Sequence, residues 1–311
     1  MSPSRFGVMA TTVLVFSLWA WPDAAQQGSA APQGGAAVAA PQVGRQGGRG
    51  GRGAATRVRP RKVVLAWADT RNGISQHDST SHALSVIEQM GYETGAYDTF
   101  IRTDSHIIAN EPQTTTGARA SGGPSLAMAD AIFFMGHREV ALDEKQKTEL
   151  AAYVRSGKGF VAAHVGLTAF ESWPEWGELI GARYDGHPWG GTNVGTVINE
   201  DPSFPATKHF PPTFQLRDEF YQAKDGGRST FRVLLRLDIS SMPPHAELRN
   251  KDYPLAWAKM YGKGRVFYSS LGHATEMWDN RDVRQMYFEA LKWALGMTDG
   301  DANPRPAPNT N

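Results

Sequence analysis

Four apolar runs mark out this chain: KVVLAW from Lys62, AIFFM from Ala131, GFVAA from Gly159 and RVFYSS from Arg265. They are too apolar for strands with one wet face and too short for typical helices, which is the pattern of strands buried on both faces of a parallel sheet. Between the first two, Ala83, Leu84, Val86, Ile87 and Met90 fall at helical spacing and Gly91 follows, predicting a helix over Ser81–Met90. A strand is then expected over Glu93–Tyr97, and a Thr-, Gly- and Ser-rich loop over Asn110–Pro124. A second helix is predicted over Asp143–Ser156, with Asp143 as N-cap and Gly157 past its end. This alternation of strand and helix implies parallel pairing through right-handed crossovers. After His164 the pattern changes to scattered Trp and Pro with short β-like runs at Thr192–Ile198, Thr213–Leu216, Phe231–Leu237 and Leu255–Met260. A closing helix, Asp282–Leu295, presents Val283, Met286, Tyr287, Ala290, Leu291 and Ala294 on one face.

The ends of the chain read differently. Arg5, the uncharged run Phe6–Trp21 and the small residues Ala24 and Ala25 have the form of an export signal over residues 1–25, the run being shorter than the roughly 20 residues of a membrane span. Residues 26–61 are Gly, Ala, Gln, Pro and Arg, a composition that cannot offset its ordering entropy by burial and predicts a disordered linker. Residues 62–296 are expected to form one domain and residues 297–311 a frayed tail. The expected location is therefore the periplasm or the exterior after signal cleavage, with no membrane span in the mature chain, although retention of the segment as an anchor is the alternative. Residues 1–62 hold eight basic residues and one acid, so the near-neutral total conceals a body of formal charge −6, which argues against a nucleic-acid partner. No cysteine is present, which excludes disulfides, thiolate catalysis and cysteine-ligated metals.

Candidate chemistry gathers where apolar runs end: His137 after AIFFMG, His164 after GFVAA, and His273 after RVFYSSLG. Parallel strands end on one edge, where open α/β sheets bind their ligands, so these imidazoles are expected to meet there. The alternative for each is a histidine satisfied by a neighbouring loop. His187, between Gly186 and Pro188, stands beside Trp189, whose flat face suits a sugar ring unless it only pins the loop to the core. In LRDEFY, Glu219 is the preferred carboxylate, Asp218 could cap a turn, and Tyr221 is a candidate substrate contact. Asp69, after the first strand, points to the same edge, or else forms the turn in DTRNG. His137, His164 and His273 could together hold one divalent metal such as zinc, although no short ligand motif supports it. WADTRNG stands where a phosphate-binding glycine loop would, so no nucleotide cofactor is expected.

In GFVAAH, GARYDGHPW, LRDEFY and PLAWAKMYGKGRVFYSSLGH, in that order, the sequence resembles the ThuA-like family, named for trehalose utilisation. The resemblance covers Lys62 to Gly296. It implies an α/β fold like the class I glutamine amidotransferase domain, a three-layer αβα sandwich around a mostly parallel sheet of flavodoxin-like topology. In that wider superfamily a cysteine nucleophile sits on a strained turn between strand and helix. Here AAHVGLT occupies that position, so His164 stands where related folds expose their reactive residue and glutamine amidotransfer is excluded.

Three readings follow. The first is an exported enzyme acting on a small carbohydrate, a disaccharide or keto-sugar derivative, by acid–base chemistry: His164, His187, His273 and Glu219 are catalytic, and Asp69, His137, Trp189 and Tyr221 contact substrate. The second is a carbohydrate-binding protein without turnover, and the third an interaction module tethered by its leader. Histidines packed in a deep pocket with a carboxylate would favour the first, a shallow aromatic groove the second.

Overall fold

The computed structural model describes residues 61–114, 116–120 and 123–307; the expected signal segment and linker lie outside them. One sheet of nine strands organises the domain in the order β2-β1-β3-β4-β11-β10-β9-β6-β7. Its parallel half comprises β1 (Lys62–Trp67), β2 (Tyr97–Arg102), β3 (Ala131–Phe134), β4 (Gly159–Ala163) and β11 (Gly264–Ser269). The other half, β10 (Pro254–Tyr261), β9 (Arg232–Asp238), β6 (Asn193–Asn199) and β7 (Thr213–Asp218), continues the sheet antiparallel from β11. A separate ribbon pairs β5 (Arg183–Tyr184) with β8 (Ala223–Lys224).

The helices are α1 (Ser79–Thr94), α2 (Glu144–Arg155), α3 (Pro174–Ile180) and α4 (Arg281–Ala294). Alternation along β3 assigns them to layers: Phe133 meets Trp278 and Tyr287 on the side of α4, whereas Phe134 meets Trp176 of α3. Helix α1 packs on α4, and α2 lies with α3 on the opposite face, where a Cβ on Gly264 of β11 would meet Val154 at 2.7 Å. The fold is the expected α/β sandwich, with its four central apolar runs in adjacent strands and almost wholly buried.

Two boundaries move for identifiable reasons. Gly91 does not end α1; it lies inside the helix because a Cβ there would stand 2.4 Å from the Tyr97 ring, and Gly95 at φ 66° is the actual cap. The strand expected over Glu93–Tyr97 consequently begins where that reading ended, at Tyr97. Helix α2 has the expected cap: Asp143 accepts from the Gln146 amide at 2.8 Å and Gln146 reciprocates. The tail departs from expectation through Arg305: Asp301 pairs with Arg232 at 2.6 Å, the Gly300 carbonyl accepts from Trp293, and Ala302 is buried. Ion pairs and the burial of Ala302 together hold it down. Among the described residues no helix is long and apolar enough to cross a membrane.

Candidate functional site

The carboxyl ends of β1, β3, β4 and β11 deliver four histidines to one edge, and the end of β7 delivers the carboxylate. His164 begins a short 3-10 turn (His164–Thr168) directly after β4 and is fully buried with φ 39°, a left-handed conformation that a non-glycine residue keeps only where its surroundings enforce it. Here the enforcement is visible: Tyr268 donates to the His164 carbonyl at 3.0 Å, and Nδ1 lies 2.6 Å from the Ser270 carbonyl. A carbonyl only accepts, so Nδ1 carries the hydrogen and, in the neutral ring, Nε2 presents its lone pair to the cluster.

That lone pair faces His273 Nδ1 at 3.2 Å and Glu219 Oε2 at 3.3 Å, and His273 Nδ1 is 3.1 Å from the same oxygen. His77 completes the group, its ring centroid 5.1 Å from that of His164 and 4.9 Å from that of His273. One ligand-type atom from each of His77, His164, His273 and Glu219 lies within 4.8 Å of all the others. A bare imidazole nitrogen this close to a carboxylate oxygen requires a positive centre between or beside them, either a proton or a cation. Tetrahedral ligands about 2.0–2.1 Å from an ion stand roughly 3.3 Å apart, so the four donor types, and the spacings among His164, His273 and Glu219, fit a divalent metal.

The electrostatics follow from this packing. Burial opposes charge on Glu219, yet the His164 and His273 rings beside it hold its carboxyl far below the usual range. The Glu219 contact raises His273. Burial, reinforced by the neighbouring imidazoles, pushes His77 down to about 3, so its ring stays neutral and able to bind a cation.

The three segments that carry His77, Glu219 and His273 are joined at a single peptide. Asp218, fully buried beside Glu219, accepts from the amides of Gly272 at 2.6 Å, His273 at 3.1 Å and Glu219 at 2.9 Å. The Gly272 carbonyl accepts from Ser79, two residues past His77, and from Trp278, both at 3.0 Å. Gly272 has φ 121°, and a Cβ there would stand 2.8 Å from the Trp278 ring, so only glycine serves. Burial raises the Asp218 carboxyl against these contacts.

The remaining candidates are placed unequally. His187 is adjacent to the group: its Nε2 is 3.8 Å from Glu219 Oε1, and its Nδ1 contacts the Tyr184 hydroxyl. His137 stands one ring away, 5.1 Å from His77, with Nδ1 3.3 Å from the Ser75 carbonyl; burial lowers its pKa. It is not one of the four converging residues, so the set His137, His164 and His273 is replaced by His77, His164 and His273. Tyr221 is buried and stacks on His164 at 4.2 Å, bracing that ring rather than offering a surface. Trp189 donates to the Pro243 carbonyl at 2.8 Å and packs on Tyr253, pinning its loop. Asp69 stands apart: one oxygen accepts from the Arg71 amide at 2.8 Å and the other from the Ser105 hydroxyl at 2.5 Å, so it forms the turn. Sequence reasoning missed His77 because it lies ten residues past Trp67, in the middle of a loop; the signal available was that this loop leaves β1 at the ligand-binding edge.

No curated protein sequence matches the chain. A protein described as ThuA-like from Bacteroides uniformis has the same fold, with TM-score 0.62, 19% identity, and coverage of 78% of this chain and 95% of that one. Another so described, from Parabacteroides merdae, gives TM-score 0.58 and 16% identity over 80% of this chain and 94% of its own. The family model for ThuA, trehalose utilisation, matches residues 63–294, nearly the whole described domain, and the chain belongs to the ThuA family.

Proposed function

We propose that this protein is a metal-dependent enzyme acting on a carbohydrate, with His77, His164, His273 and Glu219 holding one divalent ion, zinc in the first instance. The observation that carries the proposal is the convergence of four ligand-type atoms, with the His164 tautomer set by the Ser270 carbonyl so that its free nitrogen points inward. Bound there, the ion would supply Lewis-acid polarisation of a carbonyl or hydroxyl oxygen. The chain's own residues supply the rest. His187, half-exposed and beside Glu219, is placed to exchange a proton with a bound sugar, and the Tyr184 hydroxyl orients its ring. This combination suits isomerisation, hydration or elimination on a keto-sugar, where a proton moves next to a polarised carbonyl.

The buried carboxylate among imidazoles supports catalysis over simple binding, which would call for an open aromatic groove; Trp189 and Tyr221 are instead engaged in packing. The N-terminal segment supports export to the periplasm or beyond as part of the same proposal. A mass-spectrometric screen of the purified protein against oxidised and unoxidised disaccharides, with and without chelator and added zinc, tests the reading. The expected result is turnover of a sugar that chelation abolishes and zinc restores. Turnover indifferent to chelation would overturn the metal, and sugar binding without turnover would leave the binding protein.

A further inference from the structure

Near the histidine–carboxylate cluster, the backbone of Arg138 is constrained from every side while its side chain is not. Arg138 has φ 59°, a conformation few non-glycine residues adopt. Its carbonyl accepts from the Phe170 amide at 3.1 Å and its amide approaches the Thr168 hydroxyl at 3.4 Å. The Asn72 side chain donates to the carbonyls on either side, His137 at 2.6 Å and Glu139 at 3.1 Å. Strained conformations held this firmly by their surroundings cluster at functional sites. Yet among the described residues nothing accepts a hydrogen bond from the Arg138 guanidinium.

Arg138 borders two cavities of about 200 and 250 Å³ that also share Glu171, Tyr184 and Lys224. The larger reaches His187, and through it Glu219. The other cations of this groove are already engaged. Arg183 donates to the carbonyls of Glu171 and Trp173, and Lys224 and Arg249 both pair with Asp185. Acidic Glu171, Asp225 and Glu247 line the same walls, so the groove is no general anion trap. Discrimination would have to come from the planar fork of one arginine, which matches a carboxylate with two parallel hydrogen bonds.

We infer that Arg138 is the specificity residue of the site and that the substrate is an acidic sugar, its carboxylate held by the Arg138 fork while the reacting end of the ring lies toward His187 and Glu219. This rests on the reading of the site as a carbohydrate site but not on its metal. Isothermal titration of the purified protein, with its metal content measured first, would compare methyl β-glucuronide with methyl β-glucoside, which differ only in that carboxylate. The expected result is a preference of at least tenfold for the glucuronide, abolished in Arg138→Gln and partly kept in Arg138→Lys, with metal content unchanged in both variants. Equal affinity for the two sugars, no glucuronide binding, or a preference surviving in Arg138→Gln would each overturn the inference. Glucuronide preference through Arg138 together with turnover indifferent to chelation would overturn the metal assignment and leave this one standing.

Discussion

The two halves of the sheet are built on different physics. The parallel half, β2-β1-β3-β4-β11, is held by apolar strands between helical layers, and its polar residues of interest sit at the strand ends. The antiparallel half carries its charges within the structure: Glu200 accepts from Arg228 and Arg236 at 2.7 Å each, and Asp201 from Arg232 at 2.6 Å. The site draws on both, taking imidazoles from the parallel half and its carboxylate from the end of β7. A site spanning two differently stabilised halves needs a rigid connection, and the Asp218–Gly272 contact provides one.

Glu219→Gln should have the largest effect, because it removes the charge on which His164 and His273 converge. Turnover in the disaccharide screen should fall by roughly 10²–10⁴. His164→Ala should lower turnover by at least roughly 10² and also destabilise the fold by about 1–3 kcal/mol, since it strands the buried Ser270 carbonyl. Loss of stability at this position therefore does not argue against a catalytic role, and the two readouts must be taken together.

Glu200→Gln probes the antiparallel half alone. Burial disfavours its charge, but Arg228 and Arg236 hold its pKa below the ordinary value. Breaking these buried pairs should cost about 3–5 kcal/mol at neutral pH in denaturant unfolding. Because the folded pKa is depressed, the contribution of Glu200 is complete above the unfolded carboxylate range, about pH 4.3, and is lost as pH falls through the folded value. The difference between wild type and variant should therefore shrink below roughly pH 4. A difference independent of pH would mean that packing, not charge, is responsible.

Much of this was legible in residue order, for one reason: a strand buried on both faces must be apolar throughout, so β1, β3, β4 and β11, and the histidines that directly follow the last three, could be located directly. The antiparallel strands were seen only as short runs, and nothing local revealed that β7 would bring Glu219 across to meet them. Asp69 was ambiguous because its second partner, Ser105, lies 36 residues away. His77 escaped notice because its position depends on the path of a loop, which no periodicity encodes.

Asp218→Ala should sharpen the comparison by loosening the connection between the halves. Losing the contacts to Gly272, His273 and Glu219 should weaken zinc affinity by about 10–100-fold, the scale seen when residues supporting metal ligands are removed. An unchanged affinity in competition with a chromophoric chelator would show that the ligand positions are set elsewhere. Tyr221→Leu should have the smallest effect, about 0.5–1.5 kcal/mol of stability from the lost stack on His164, with metal content preserved.

The central claim is tested most directly by anomalous diffraction at the zinc edge from crystals of the purified, zinc-supplemented protein. The account predicts one strong peak about 2.0–2.2 Å from a nitrogen of each of His77, His164 and His273 and from a Glu219 oxygen. Density without a peak, with His164 and His273 hydrogen-bonded directly to Glu219, would contradict it and leave a proton as the positive centre of the cluster.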